Sequence, residues 1–153
     1  MGTAEHETQR EGGLADLLGR LAVVESRLHD GIGLALSEER ATLDEWRILE
    51  LVSRLEAPTM GELAHASGLP NASLSRIVDA LEDSASVYRL PGLADRRRIT
   101  VHLSTHGADR LGRMRDLVAA WERSAEDLIG SEDLARLTDA LDAVETRLGG
   151  EGR

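Results

Sequence analysis

Cysteine is absent from this 153-residue chain, which excludes disulfides, thiolate metal sites and cysteine-based redox sensing. Phenylalanine is absent too, and Trp46, Tyr88 and Trp121 are the only aromatic side chains, too few to stack single-stranded bases. Lysine is missing as well: all 18 basic residues are arginine, a habit we attribute to genome composition rather than to chemistry. No apolar run approaches the ~18 residues of a spanning helix, and the polar, acidic first 13 residues do not read as a secretory leader. Catalytic signatures are also wanting. There is no phosphate loop, nucleophile elbow, dinucleotide fingerprint or His-Glu-x-x-His. The pairs Glu38-Glu39 and Glu132-Asp133 fall at helix ends, where negative charge favours a helix N-terminus. His102 and His106 straddle a strand end and a helix start, and His29, Glu38 and Glu39 add no clustered ligand spacing. The expectation is a cytoplasmic globular protein that is not an enzyme and uses no metal or cofactor.

What is present is an uneven charge. The chain is 41% apolar and 30% charged, with a net charge of −10. Residues 70–115 nevertheless hold eight arginines against five carboxylates, a local +3 that leaves −13 for the rest. A field that decays over ~8–10 Å lets such a segment meet phosphate inside an acidic protein.

The hydrophobic spacing predicts mostly helices. Apolar residues at 14, 17, 18, 21, 24, 28 and 32 mark a first helix to about Leu36, its last turn weakened by Gly31 and Gly33. Thr42-x-x-Glu45 and Thr59-x-x-Glu62 are capping boxes that open two more. The first of these puts Trp46, Leu49, Val52 and Leu55 on one face; the second ends near Ala66, before Gly68. Pro70 suits the first turn of a helix to about Ser84, with Leu74, Ile77, Val78 and Leu81 inward. Two β-prone runs follow, 87–90 and 99–103, joined by a loop that contains Arg96, Arg97 and Arg98. Ser104 or Thr105 caps a long helix to about Ile129, Gly130 interrupts it, and Ser131 caps a last helix through Leu148.

Residues 60–79 read as a helix-turn-helix, with Ala64 where the helices cross and Gly68 free to take a positive φ. Such a motif lays its second helix in a major groove. Arg76 is suited to guanine or phosphate, Asn71 to adenine, Ser73 and Ser75 to phosphates. The plain alternative is an αα-hairpin whose polar face meets water. Three adjacent arginines at a hairpin tip suit a protrusion into the minor groove, whose negative potential attracts guanidinium. Asp95 is placed to orient Arg97. A solvated arginine-rich loop is the alternative there.

The order of elements resembles the MarR family of bacterial transcriptional regulators. The resemblance is carried by Leu43-Asp44-Glu45-Trp46-Arg47-Ile48-Leu49, Gly61-Glu62-Leu63-Ala64 and Ser75-Arg76-Ile77-Val78-Asp79-Ala80-Leu81-Glu82. Its most specific part is Asp95-Arg96-Arg97-Arg98-Ile99-Thr100-Val101-His102-Leu103-Ser104-Thr105-His106-Gly107. It spans about residues 14–148. It implies a mainly α fold with a small β-hairpin: a winged helix-turn-helix with flanking dimerisation helices, binding a pseudo-palindromic double-stranded operator as a homodimer, usually as a repressor. The implied division is a disordered tail at 1–13, a dimerisation helix at 14–40, a DNA-binding lobe at 41–104, dimerisation helices at 105–148 and a tail at 149–153. Asp95 becomes the orienting acid and Arg97 the minor-groove arginine. A small anionic or aromatic effector is implied between lobe and dimer helices, near His29, Arg40, Trp46 and Met114, although Trp46 also suits the core.

The chain departs from the family pattern in three places. Ala85 and Ser86 stand where Gly and an apolar residue are usual, Pro70 replaces a Ser or Thr cap, and the missing cysteine excludes the peroxide-sensing branch. The acidic surplus keeps one alternative open, a winged protein-interaction adaptor without DNA.

Overall fold

Both capping boxes form. Thr42 Oγ1 accepts from the Glu45 N–H at 3.1 Å while the Glu45 carboxylate accepts from the Thr42 N–H at 2.7 Å. Thr59 and Glu62 repeat the exchange at 3.2 and 2.7 Å. Each satisfies N–H groups that a helix start leaves without partners. In the computed structural model, which describes residues 13–149 except 93, 94, 96 and 97, these boxes open α2 (Leu43–Leu55) and α3 (Met60–Ser67). Before them runs α1 (Leu14–Leu36), extended by the 3-10 turn Ser37–Glu39. After them come α4 (Asn71–Asp83), β1 (Val87–Pro91), β2 (Ile99–Leu103), α5 (Thr105–Ile129) and α6 (Ser131–Gly149).

One core joins these elements. Leu36, Ile48, Leu49, Leu63, Leu74, Val78, Leu81, Val101 and Met114 are fully enclosed, with Leu43, Val52, Val87, Leu111 and Val118 nearly so. The periodicity of α4 holds, since Leu74, Val78 and Leu81 are buried and Ile77 half-buried. On α2 the buried face is Leu43, Ile48, Leu49, Leu51 and Val52. Leu55, expected on it, lies in the last turn and is exposed, because Glu56 and Ala57 turn the chain away at φ 51° and 68°. Ser131 is the first residue of α6 rather than its cap; Gly130 stands before it, its carbonyl accepting from the Leu134 N–H at 3.0 Å.

The strands pair antiparallel, from Val87 opposite Leu103 to Pro91 opposite Ile99. The far side of β2 is covered: the Val101 N–H donates to the Pro58 carbonyl at 2.8 Å and Thr100 bridges to Thr59. The hairpin is thereby tied to the start of α3. Pro91, lacking an N–H, is tolerated at the outer edge.

The flanking helices differ from the core. In α1 only Leu36 is buried, and in α6 nothing is. Leu14, Leu17, Leu18, Val24 and Leu28 on α1 and Leu137, Leu141, Val144 and Leu148 on α6 are exposed, two apolar stripes at helical spacing without cover among the described residues. No helix among the described residues is long and apolar enough to cross a membrane.

Candidate nucleic-acid interface

The turn between α3 and α4 is closed by Gly68 at φ 68°, whose N–H bonds the Ala64 carbonyl at 3.0 Å. Helix α4 then presents Asn71, Ala72, Ser75, Arg76 and Asp79 to solvent; Ser73 is half-buried. Pro70 gives no side-chain cap, so the first N–H groups of α4 are left for solvent or an anion. Arg76 makes no ion pair among the described residues. Its charge is available to an incoming phosphate or base.

Two of the three acids on α4, Asp79 and Glu82, are otherwise disposed. Arg89 on β1 reaches back to Asp79 at 2.7 Å and pairs with Glu82 as well. The Arg89 N–H also meets Glu82 at 3.3 Å. This brace lowers the negative field beside Arg76 and fixes the wing strand to the helix. Sequence reading missed it, since Arg89 looked like one polar position in a β-prone run; the signal was the carboxylate pair three residues apart on α4, one helical turn. On the outer face of the hairpin, Tyr88 and His102 stack across the strands at 5.2 Å, and Thr100 Oγ1 lies 2.9 Å from His102 Nε2.

At the wing, Arg98 and Asp95 are exposed, and the Asp95 carbonyl accepts from the Arg98 N–H at 3.0 Å. Arg96 and Arg97 lie outside the described residues.

The exit of α4 explains the Leu103-Ser104-x-x-Gly107 run. The Ser86 N–H bonds the Leu81 carbonyl and the Ala85 N–H the Glu82 carbonyl, both at 2.8 Å, the paired bonds of a Schellman ending. Ala85 adopts the left-handed conformation at φ 56° without being glycine. Ser104 caps α5, accepting from the Gly107 N–H at 2.8 Å while donating to the Ala85 carbonyl at 2.6 Å. Ala85→Gly is expected to stabilise the protein. A left-handed L-residue costs ~1–2 kcal/mol and glycine's extra chain entropy ~0.5–1, leaving a gain of about 0.5–1 kcal/mol in urea denaturation. A loss of stability would contradict this strain.

Glu39 anchors the N-terminal turns of α5 from the α1–α2 junction. Arg113 grips its carboxylate, Nε to Oε1 at 2.6 Å and Nη2 to Oε2 at 3.1 Å. That bond, helped by the positive fields of Arg113, Arg110 and His106, holds the Glu39 carboxyl below its ordinary value despite partial desolvation. A depressed folded-state value means that the stabilisation is present above the ordinary glutamate range and is lost as pH falls through the folded value. The stability difference between wild type and Glu39→Gln is therefore expected to be widest near neutrality and to close on acidification. A difference constant with pH would refute it.

Of the residues expected around an effector, His29 and Arg40 are exposed, Met114 is enclosed in the core and Trp46 is half-buried. Trp46 lines a groove of about 350 Å³ with Arg47, Leu51, Arg54 and Leu69, and its indole N–H is buried without a hydrogen-bond partner among the described residues. The other three do not line that groove. Between α1 and α5 a second hollow of about 440 Å³ is lined by Val24, Leu28, Trp121 and Leu128. No cluster of three or more His, Asp or Glu suited to a metal occurs among the described residues.

Comparison with known proteins agrees with this geometry. The MarR family model matches residues 41–99, from the start of α2 to the start of β2. The HTH-type transcriptional regulator FarR of Neisseria gonorrhoeae is 26% identical over 106 residues, 69% of this chain and 73% of FarR. Apo MarR from E. coli superposes with a TM-score of 0.73 at 26% identity, over 83% of this chain and 96% of that one. A mutant E. coli MarR complexed with operator DNA gives 0.76 at 26% identity, over 83% and 92%. The repressor CouR, bound to a 23-mer duplex, shares the fold with a TM-score of 0.79 at 24% identity, over 87% and 95%. The matched lobe, the regulator relative and the shared winged-helix architecture make this chain similar to transcriptional regulators of the MarR family, with the family model itself matching residues 41–99.

Proposed function

We propose that the chain works as a homodimeric, sequence-specific binder of double-stranded DNA, a repressor relieved by a small-molecule effector. The observation that carries this reading is the exposed face of α4, where Asn71, Ser75 and an Arg76 without an ion pair among the described residues meet solvent while Asp79 and Glu82 are engaged by Arg89. Asn71 and Arg76 would meet base edges, Ser75 and the half-buried Ser73 phosphates. The wing would enter the flanking minor groove with Arg96, Arg97 and Arg98, Asp95 orienting Arg97. That a mutant MarR of E. coli has been seen with operator DNA supports the same use of the lobe.

The uncovered stripes on α1 and α6 support a second copy as their cover, and two lobes related by a two-fold axis would set their reading helices about one DNA turn (~34 Å) apart. On this reading 14–40 and 105–148 form the dimer and 41–104 the DNA-binding lobe; no catalytic activity is involved. His29, Arg40, Trp46 and Met114 remain the residues to probe for an anionic or aromatic effector.

The test is selection of duplexes from a random pool by the purified chain, followed by Arg97→Ala. An inverted repeat is expected to emerge, with the variant binding it more weakly while still a dimer. Wild-type affinity in Arg97→Ala would remove the wing from the mechanism. Selection of no duplex would favour a protein-interaction adaptor.

A further inference from the structure

Arg110 is the charged side chain buried most deeply among the described residues, 7% exposed in the second turn of α5. Its Nη1 donates to Ser86 Oγ at 3.0 Å and Ser84 Oγ at 3.3 Å. Its Nη2 donates to the carbonyls of Glu39 at 2.9 Å and Arg40 at 3.5 Å. Its Nε stands 4.0 Å from the Glu39 carboxylate. One guanidinium thus joins three elements distant in sequence: α5, the turn that leaves α4 for the wing, and the junction of α1 with α2.

Stability alone does not explain this choice. Burying a charge costs several kcal/mol even when it is paired, and an apolar residue of similar volume commonly serves the core as well. A rigid fork of donors does what an apolar contact cannot: it fixes relative orientation, because each N–H must meet its acceptor in line. The clamped turns need fixing. Arg40 at φ 50° and Ala85 at φ 56° are left-handed without being glycine, a conformation that L-residues adopt only at a cost, so both turns are places where the backbone would relax if released. Ser86 completes the fit. It is fully buried, and its hydroxyl lies 3.0 Å from both Arg110 Nη1 and Ser84 Oγ, so that the two serines and the guanidinium form one hydrogen-bonded cluster.

We propose that Arg110 is a positioning residue for DNA recognition, setting the angle between the α4–wing unit and the helices that carry the uncovered apolar stripes. This rests on the DNA-binding reading above. The contact acts through Ser84, Ser86 and the Glu39–Arg40 turn; Arg110 touches no DNA.

The test uses the full chain and two readouts. Because cysteine is absent, spin labels at Ala80→Cys on α4 and Asp116→Cys on α5 report one distance within a protomer diluted into unlabelled chain. The wild type is expected to give a narrow distribution. Arg110→Met should broaden it with helix content retained, Arg110→Lys should fall between, and Ser86→Ala should shift it the same way to a smaller extent. On the selected duplex, Arg110→Met should lose about tenfold of the preference for the native half-site spacing over one shifted by two base pairs. Simple destabilisation would lower binding to both spacings alike. Wild-type distance distribution and spacing preference in Arg110→Met would overturn the proposal; if that variant does not fold, Arg110→Lys and Ser86→Ala decide it. A wild-type chain that selects no duplex overturns the DNA-binding reading instead, and the distance measurement then decides the clamp alone.

Discussion

Gly107→Ala is expected to destabilise the protein by about 2 kcal/mol or more, although alanine is favoured over glycine inside a helix by ~1 kcal/mol. A β-carbon at 107 would stand 1.9 Å from the Ser86 carbonyl oxygen and 2.7 Å from its carbon. Neither atom can swing aside as a side chain would. The Ser86 carbonyl is already engaged by the Ser104 N–H at 3.1 Å, and Ser104 caps the same helix. The backbone must therefore move, and α5 must part from the exit of α4. Gly112 is the internal control. It lies in the same helix with open space where its β-carbon would be, so Gly112→Ala should be neutral or stabilising by up to ~1 kcal/mol. Urea denaturation of the two variants checks the pair; equal effects would mean that the contact at Gly107 is looser than described.

Arg76→Ala is expected to cost about 1–3 kcal/mol of operator affinity, roughly 5- to 150-fold, and to relax base preference at one position of each half-site. The magnitude follows from its exposure on the outward face of α4 and from its lack of a carboxylate partner among the described residues. An arginine already neutralised within the protein would have to give up that partner first. Fold stability should scarcely change, since the side chain leaves no cavity. Competition binding with the selected duplex and its single-position variants reads both effects. A uniform loss across all sequences would assign Arg76 to a phosphate rather than to a base.

Local chemistry made much of the fold readable. Thr42 with Glu45 and Thr59 with Glu62 are encoded within four residues, and both boxes stand as read. The alternation from Ile99 to Leu103 predicted a strand, and the inward set of α4 followed from its period. Resemblance added what periodicity could not: the expectation that the apolar stripes on the outer helices meet a second copy rather than the core.

What stayed hidden depends on contacts between distant segments. Arg110 precedes the buried Leu111 on a helix and looks, by pattern, like a solvent-facing charge. Its burial comes from acceptors 24 and 71 residues away. Ser86 looked like a defect in the family pattern, and became intelligible only with the guanidinium beside it. Arg89 likewise gains its meaning from Asp79 and Glu82. The effector residues were gathered by analogy, and the single chain leaves Met114 inside the core and Arg40 at its surface.

The most direct test of the central claim is a salt titration of binding to the selected duplex, with the mass of the complex measured alongside. The account predicts two chains per duplex and an affinity that falls steeply with added salt, log affinity against log salt dropping by roughly 0.9 per phosphate neutralised. A purified chain that stays monomeric and binds no duplex even at low ionic strength would contradict it.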